Sequence, residues 1–142
     1  MNQDAQMLQR ICQSSQLGQN DIRAVIKEVR DPVMQQTLAS QLREYETIHN
    51  QAKKLLTDRG QSAKKIPGIV LAFSRMGAGR KAARSCSGSA IAELLIQGNT
   101  RGMVQTIRQN RAQHALDPKV STLSNRLLQT ELANIEQMKP FL

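Results

Sequence analysis

The sequence predicts an all-α protein, built as an up-down four-helix bundle with a long crossover between its second and third helices. Three observations support this. Aromatic residues make up only 2% of the 142 residues, whereas β-sheets favour aromatic and β-branched side chains. The chain is instead rich in Leu, Ala, Gln and Arg, which suit helices. Apolar residues also recur at spacings of three and four in four separate segments, which is typical of amphipathic helices.

The first two segments predict a helical hairpin over about residues 3–58. The first helix covers about 3–29 and is expected to run through Gly18 without a break. Asp31-Pro32 then starts the second helix, because Asp is a favoured N-cap and Pro suits the first helical position. A seam with alternating spacings of four and three predicts its buried face: Leu38, Leu42, Tyr45, His49, Ala52 and Leu56.

The crossover is predicted at about residues 59–88. Gly60 ends the second helix, and Pro67 opens a short extra helix over about 67–83. A second hairpin follows at about 89–139, and Asp117-Pro118 starts its last helix as Asp31-Pro32 does in the first hairpin. The apolar residues expected to pack the third helix are Ile91, Leu94, Leu95, Met103, Val104 and Ile107. We interpret residues 1–142 as one domain, a length that suits a single core.

The two predicted hairpins share a pattern. Gln13 precedes Gly18 by five residues, as Gln97 precedes Gly102. In each hairpin the second helix is then predicted to start at an Asp-Pro pair. Short loops within each hairpin make its helices antiparallel, and the long link lets the chain run back along the bundle. A four-helix bundle with one such crossover has the ferritin-like arrangement.

The sequence resembles uncharacterised ferritin-like proteins of the kind found in Clostridia and related Firmicutes. Four stretches carry this resemblance: "LQRICQSSQLGQNDI", "LASQLREYETIHNQAKKLL", "SAIAELLIQGNTRG" and "LLQTELANIEQMKPFL". The resemblance implies a fold and no particular activity. Our first hypothesis is therefore a non-catalytic ferritin-like protein that acts in binding, assembly or a stress response, with no cofactor expected.

A second hypothesis is a degenerate ferritin-like metal protein that would hold iron or manganese. Metal-binding members of these families use a Glu from each of two helices and a Glu-x-x-His pair from each of the other two. Here Glu46 and His49 form one such pair, and Glu131 has Asn134 where the second His would stand. These three candidate ligands, Glu46, His49 and Glu131, are an incomplete set, and His49 on an apolar seam also fits a packing role.

A third hypothesis is an electrostatic binder of nucleic acid or anionic membrane. The chain has a formal net charge of +9. Residues 59–84 carry seven Lys or Arg and no Asp or Glu, so they predict a local polyanion-binding surface. The candidate contacts within that segment are Lys64, Lys65, Arg75, Arg80, Lys81 and Arg84.

The remaining features leave several questions open. Cys12 and Cys86 fit no zinc-ligand spacing, and the sequence does not decide whether either has a redox role. The N-terminus "MNQDAQMLQR" has no apolar core of the signal-peptide kind, so we expect a cytoplasmic protein with free thiols. Oligomeric state is undecided, with a homodimer as one alternative. The partner is unknown beyond the polyanion named above.

Overall fold

The structure is a computed structural model that describes residues 2–65 and 87–142. Those residues form four α-helices and contain no strand. The helices are α1 (Gln3–Val25), α2 (Pro32–Asp58), α3 (Gly88–Ala112) and α4 (Pro118–Met138), with short 3-10 turns at Ile26–Glu28 and Lys139–Phe141. The predicted all-α four-helix bundle is thereby confirmed. The short extra helix expected at about 67–83 lies outside the described residues.

The predicted start signals do cap the helices. The Asp31 carboxylate accepts hydrogen bonds from the backbone N–H groups of Val33 and Met34 at the start of α2. Asp117 accepts one from Lys119 at the start of α4. Each bond satisfies a backbone donor that has no partner within its helix. α1 continues through Gly18 as expected.

The connections show how the helices run. Arg59, just after α2, forms ion pairs with Asp117 at 3.0 Å and with Asp4 at 3.9 Å. The end of α2 therefore lies beside the starts of α1 and α4 and the end of α3. At the opposite end, Gly88 lies beside Met34, since a Cβ on Gly88 would be 3.8 Å from the Met34 sulfur. Thus α2 and α3 run in the same direction, and the end of α2 and the start of α3 lie at opposite ends of the bundle.

The core draws buried apolar residues from all four helices, and it corrects the predicted seam of α2. The buried positions along α2 are Met34, Leu38, Gln41, Tyr45, Ile48, Ala52 and Leu56. Leu42 and His49, which the seam included, are only partly buried. The reason is geometric: α2 packs against α1 on one side and α4 on the other. Gln41 and Ile48 are also spaced for a seam, and they point most directly inward.

The apolar pattern also overestimated how much of α3 is buried. The fully buried residues of α3 are Ile91, Ala92, Leu95 and Thr106. Val104 was expected in the core but is 37% exposed, and Met103 and Ile107 are only partly buried. An apolar stripe identifies the inward face of a helix, but it does not say how many neighbours cover that face along its length.

A ladder of polar contacts joins α2 to α4. Arg126 donates two hydrogen bonds to the Glu44 carboxylate, at 2.7 and 2.8 Å. This contact lowers the pKa of Glu44. Further along, Gln41 donates to Gln137 at 2.9 Å. A two-pronged Arg–carboxylate contact orients both partners, so this ladder sets the register of α2 against α4.

The two Asp caps allow a matched test. We expect Asp31→Ala to cost about 1 kcal/mol of unfolding free energy, the usual effect of losing an N-cap. Asp117→Ala should cost more, roughly 1–2 kcal/mol, because Asp117 also pairs with Arg59 across the bundle. Urea denaturation of both variants and the unaltered protein measures the two losses. Equal losses would show that the Arg59–Asp117 pair adds nothing to stability.

Candidate functional site

The middle of the bundle holds a large side chain against a glycine. Tyr45 on α2 is 4% exposed, and its ring lies against Gly18 on α1. A Cβ built on Gly18 would be 2.5 Å from the Tyr45 Cζ atom. No side chain fits in that space, so Gly18 is the reason that a tyrosine can cross the interior here.

The Tyr45 hydroxyl reaches the second hairpin. It donates a hydrogen bond to the Asn99 Oδ1 atom on α3 at 2.7 Å. The Asn134 side-chain amide on α4 donates to the same oxygen at 3.3 Å. Asn99 is held in place because its own amide donates to the Leu95 carbonyl at 2.8 Å. Burial raises the pKa of Tyr45, so the phenol remains protonated and acts as a donor.

A second buried side chain packs against a glycine in the same way as Tyr45 packs against Gly18. Glu131 on α4 is 3% exposed and packs directly on Gly102 of α3, where a Cβ would clash with its carboxylate. The Thr106 hydroxyl lies 2.7 Å from Glu131 Oε1 and 2.9 Å from the Gly102 carbonyl oxygen. Burial raises the pKa of Glu131 to about 7, although the contact with Thr106 acts in the other direction.

We call these six residues the central polar layer: Tyr45, Asn99, Gly102, Thr106, Glu131 and Asn134. Its hydrogen bonds connect α2, α3 and α4 within a mainly apolar core. A protonated Glu131 can donate to Thr106, whose own proton then goes to the Gly102 carbonyl, so every donor in that chain has an acceptor. The layer can therefore hold one exchangeable proton close to neutral pH.

The three predicted metal ligands lie in different surroundings. Glu46 is partly exposed and pairs with Arg23 of α1 at 3.2 Å. The Nδ1 atom of His49 lies 3.1 Å from the Cys12 carbonyl oxygen and 3.3 Å from the Ser15 hydroxyl. Burial lowers the pKa of His49. Glu131 belongs to the central polar layer instead. Among residues 2–65 and 87–142, no group of three or more His, Cys, Asp or Glu side chains is placed to hold a metal ion.

Cys12 is buried, and its surroundings make its thiol unreactive. Cys12 is 2% exposed. Burial raises the pKa of its thiol to about 11, with a smaller opposing effect of Lys53. Because the thiolate is the nucleophile, Cys12 is poorly suited to redox chemistry at neutral pH. Cys86 lies outside the described residues.

One end of the bundle is strongly basic. It is the end where α1 and α4 begin and α2 and α3 end, and it comprises residues 2–10, 50–65 and 104–119. The contacts of Arg59 with Asp4 and Asp117 hold these segments together. Residues 61–65 lie along α1, because Gln9 bonds to the Ser62 carbonyl at 2.7 Å and to the Lys64 N–H at 2.9 Å. We call this region the basic end.

The charges are divided unequally between the basic end and the other described residues. The basic end has nine Lys or Arg and three Asp or Glu, a net side-chain charge of +6. The other described residues have seven and eight, a net charge of −1. The cations of the basic end are Arg10, Lys53, Lys54, Arg59, Lys64, Lys65, Arg108, Arg111 and Lys119.

Only part of this surface was predictable from the sequence. Lys64 and Lys65 belonged to the predicted basic segment, and both are exposed at the basic end. Arg75, Arg80, Lys81 and Arg84 lie outside the described residues. Lys53, Lys54 and Lys119 were not predicted from the sequence, because Lys119 lies 65 positions beyond Lys54 and an acidic residue, Asp58 or Asp117, lies close to each of them. The signal that could have identified these lysines is their position near the ends of helices, because those helix ends meet in the structure.

The class of protein defined by these observations is an all-α four-helix bundle with a buried polar layer and one basic end. Its fold is similar to that of a crystal structure of a DUF305 fragment from Deinococcus radiodurans. The TM-score is 0.71 and the identity 14%, over 99% of this chain and 95% of that chain. No protein-family model matches the sequence, and no curated protein does. None of the described helices is long and apolar enough to cross a membrane.

Proposed function

We propose that this chain is a non-catalytic bundle protein of the ferritin-like kind that binds double-stranded nucleic acid through its basic end. The observation that carries the proposal is the division of charge: a net +6 at one end against −1 over the other described residues. Clustered Lys and Arg neutralise phosphates and release their counterions, which favours binding without regard to sequence.

The exposed cations of the basic end support a partner that is itself a dense array of anions. Within the described part of the chain, Lys53, Lys54 and Lys119 are exposed and take part in none of the ion pairs, in contrast to Arg59. They come from the end of α2 and the start of α4, so together they form a surface rather than a line along one helix. Such a surface is typical of backbone recognition.

The basic end also lacks the residues that single-stranded nucleic acid requires. Binding of single strands usually depends on aromatic side chains on which bases stack. Among the described residues, Tyr45 is buried and Phe141 follows α4 at the opposite end of the bundle. A duplex presents phosphates without exposed base faces, and it therefore suits this surface better.

The central polar layer supports a non-catalytic role. Its donors and acceptors bond to one another across three helices. These residues are also almost entirely buried, apart from Asn99 and Gly102, which are partly buried. Buried hydrogen bonds of this kind select one packing of the helices at a cost in desolvation. We therefore assign the layer to fold specificity and the basic end to function.

A charge-matched pair of variants tests the proposal. The first changes Lys53, Lys54 and Lys119 to Ser; the control changes Lys27, Arg43 and Arg101 to Ser, three exposed cations outside the basic end. We expect the first variant to bind a labelled 20-base-pair duplex at least about tenfold more weakly at low salt, and the control to bind nearly as the unaltered protein does. The slope of log K against log salt should also become shallower by roughly 2–3 in the first variant, about 0.9 for each lost contact.

Fluorescence anisotropy over a salt series measures both quantities. Equal losses in the two variants would contradict the proposal, because binding would then follow overall charge rather than the basic end. Vesicles that contain phosphatidylserine provide the other arm. Retention on these vesicles without any duplex binding would replace nucleic acid with an anionic membrane as the partner.

A further inference from the structure

A groove between α2 and α4 opens beside the basic end and has a mixed lining. Its volume is about 580 Å³, within the range of small-molecule sites. Leu55 and Leu123 contribute apolar surface, and Lys54, Asp58, Lys119 and Thr122 are among the polar residues of the lining. Leu123 is 4% exposed, so it belongs to the floor, whereas both lysines are exposed and stand at the rim.

The rim carries more positive than negative charge. Lys54 on α2 and Lys119 in the first turn of α4 take part in no ion pair within the described residues, and Asp58 is the acidic residue of the lining. Arg126 also lines the groove, but its guanidinium is already held by Glu44. The groove therefore combines an apolar floor with a cationic rim.

We propose that this groove binds an amphipathic carboxylate, a fatty-acid-like anion whose chain lies on Leu55 and Leu123 and whose head group meets Lys54 and Lys119. The charge at the rim favours an anion over a cation of the same shape. The apolar floor favours a chain over a compact anion such as inorganic phosphate, which would leave the accessible part of Leu55 uncovered. This inference is separate from nucleic-acid binding, although the two surfaces share Lys54 and Lys119.

Titration calorimetry with decanoate below its micelle concentration tests the inference. We expect decanoate to bind at least about tenfold more tightly than decyltrimethylammonium, and about 4- to 16-fold more tightly than octanoate. The latter ratio follows from two extra methylene groups at about 2- to 4-fold each. Equal affinity for decanoate and decyltrimethylammonium would overturn the proposal, since the rim would then have no effect.

Two variants locate the site. Thr122→Trp fills the groove from an exposed position without changing charge, so it should weaken decanoate binding at least about tenfold and leave duplex binding intact. The double variant Lys54→Ser with Lys119→Ser should remove the preference for decanoate over decyltrimethylammonium. Circular dichroism confirms that each variant is folded. Unchanged decanoate binding in Thr122→Trp would overturn the assignment to this groove, whatever the outcome for the duplex.

Discussion

A Gly18→Ala variant is expected to lose about 2 kcal/mol of unfolding free energy, although alanine is the better helix former. The added methyl group would lie 2.5 Å from the Tyr45 ring, much closer than a van der Waals contact. The ring has little freedom to move, because its hydroxyl is bonded to Asn99 and its faces are packed. Overpacking of this kind costs about 3 kcal/mol at the upper end, and the gain in helix propensity returns only about 1.

The chain provides its own control for this substitution. Gly98 also lies inside a helix, but a Cβ there would meet only Asp21, at 3.4 Å, an ordinary contact distance. Gly98→Ala should therefore be neutral or stabilising by up to about 1 kcal/mol, through helix propensity alone. Urea denaturation of the two variants separates the effect of the contact with the Tyr45 ring from the general effect of replacing a helical glycine.

A second substitution ties the Gly18 effect to Tyr45. Tyr45→Leu shortens the side chain that fills the space beside Gly18. In that background Gly18→Ala should cost much less, so that the two substitutions couple by about 1–2 kcal/mol, in the range found for residues in contact. Additive losses would mean that the cost of the methyl group arises somewhere other than at the tyrosine ring.

The second large effect is a dependence of stability on pH that arises from Glu131. Its pKa in the folded protein is about 7, raised from 4.5 by burial. The folded state then holds the proton more tightly than the unfolded state does. The contribution of Glu131 is therefore fully present below pH 4.5 and is lost as the pH rises towards 7. One pKa unit corresponds to about 1.4 kcal/mol, so we expect a loss of about 2–3 kcal/mol between pH 5 and pH 8.

Glu131→Gln isolates this contribution. Glutamine is close in size and cannot ionise, so the variant should gain stability relative to the unaltered protein as the pH rises from 5 to 8. The comparison is needed because His49 acts in the opposite sense: its pKa is lowered by burial, so its contribution is lost as the pH falls. Urea midpoints at four pH values give the difference. A difference that does not change with pH would contradict a protonated Glu131 at acid pH.

The sequence predicted the course of the fold well because the relevant signals are local. Asp31 and Asp117 cap helices through backbone groups two or three residues away, and Gly60 ends α2 with a positive φ angle of 69°. These contacts depend on nearby residues only, so a short stretch of sequence contains the whole interaction. The repeated Gly18 and Gly102 positions also proved to have the same role, since each accommodates a side chain from the next helix.

The sequence was less informative about the interior. Glu131 was a candidate metal ligand in one of the three hypotheses, together with Glu46 and His49, and its contacts with Gly102 and Thr106 of α3 could not be foreseen. Tyr45 was expected to be buried, but its bond to Asn99 joins residues 54 positions apart. Helical periodicity gives the face on which a residue lies. It does not identify the residue that lies opposite on a helix from another part of the chain.

The sequence by itself determined an all-α chain, the starts of its helices and the pairing of those helices into two hairpins. Each of these follows from interactions within a few residues. Only the tertiary structure decided which polar side chains share the core and which cations share a surface. Lys54 and Lys119 lie 65 positions apart, and they line one groove at the basic end because α2 ends where α4 begins. Charge acts through space, so its pattern becomes visible only once the helices are placed.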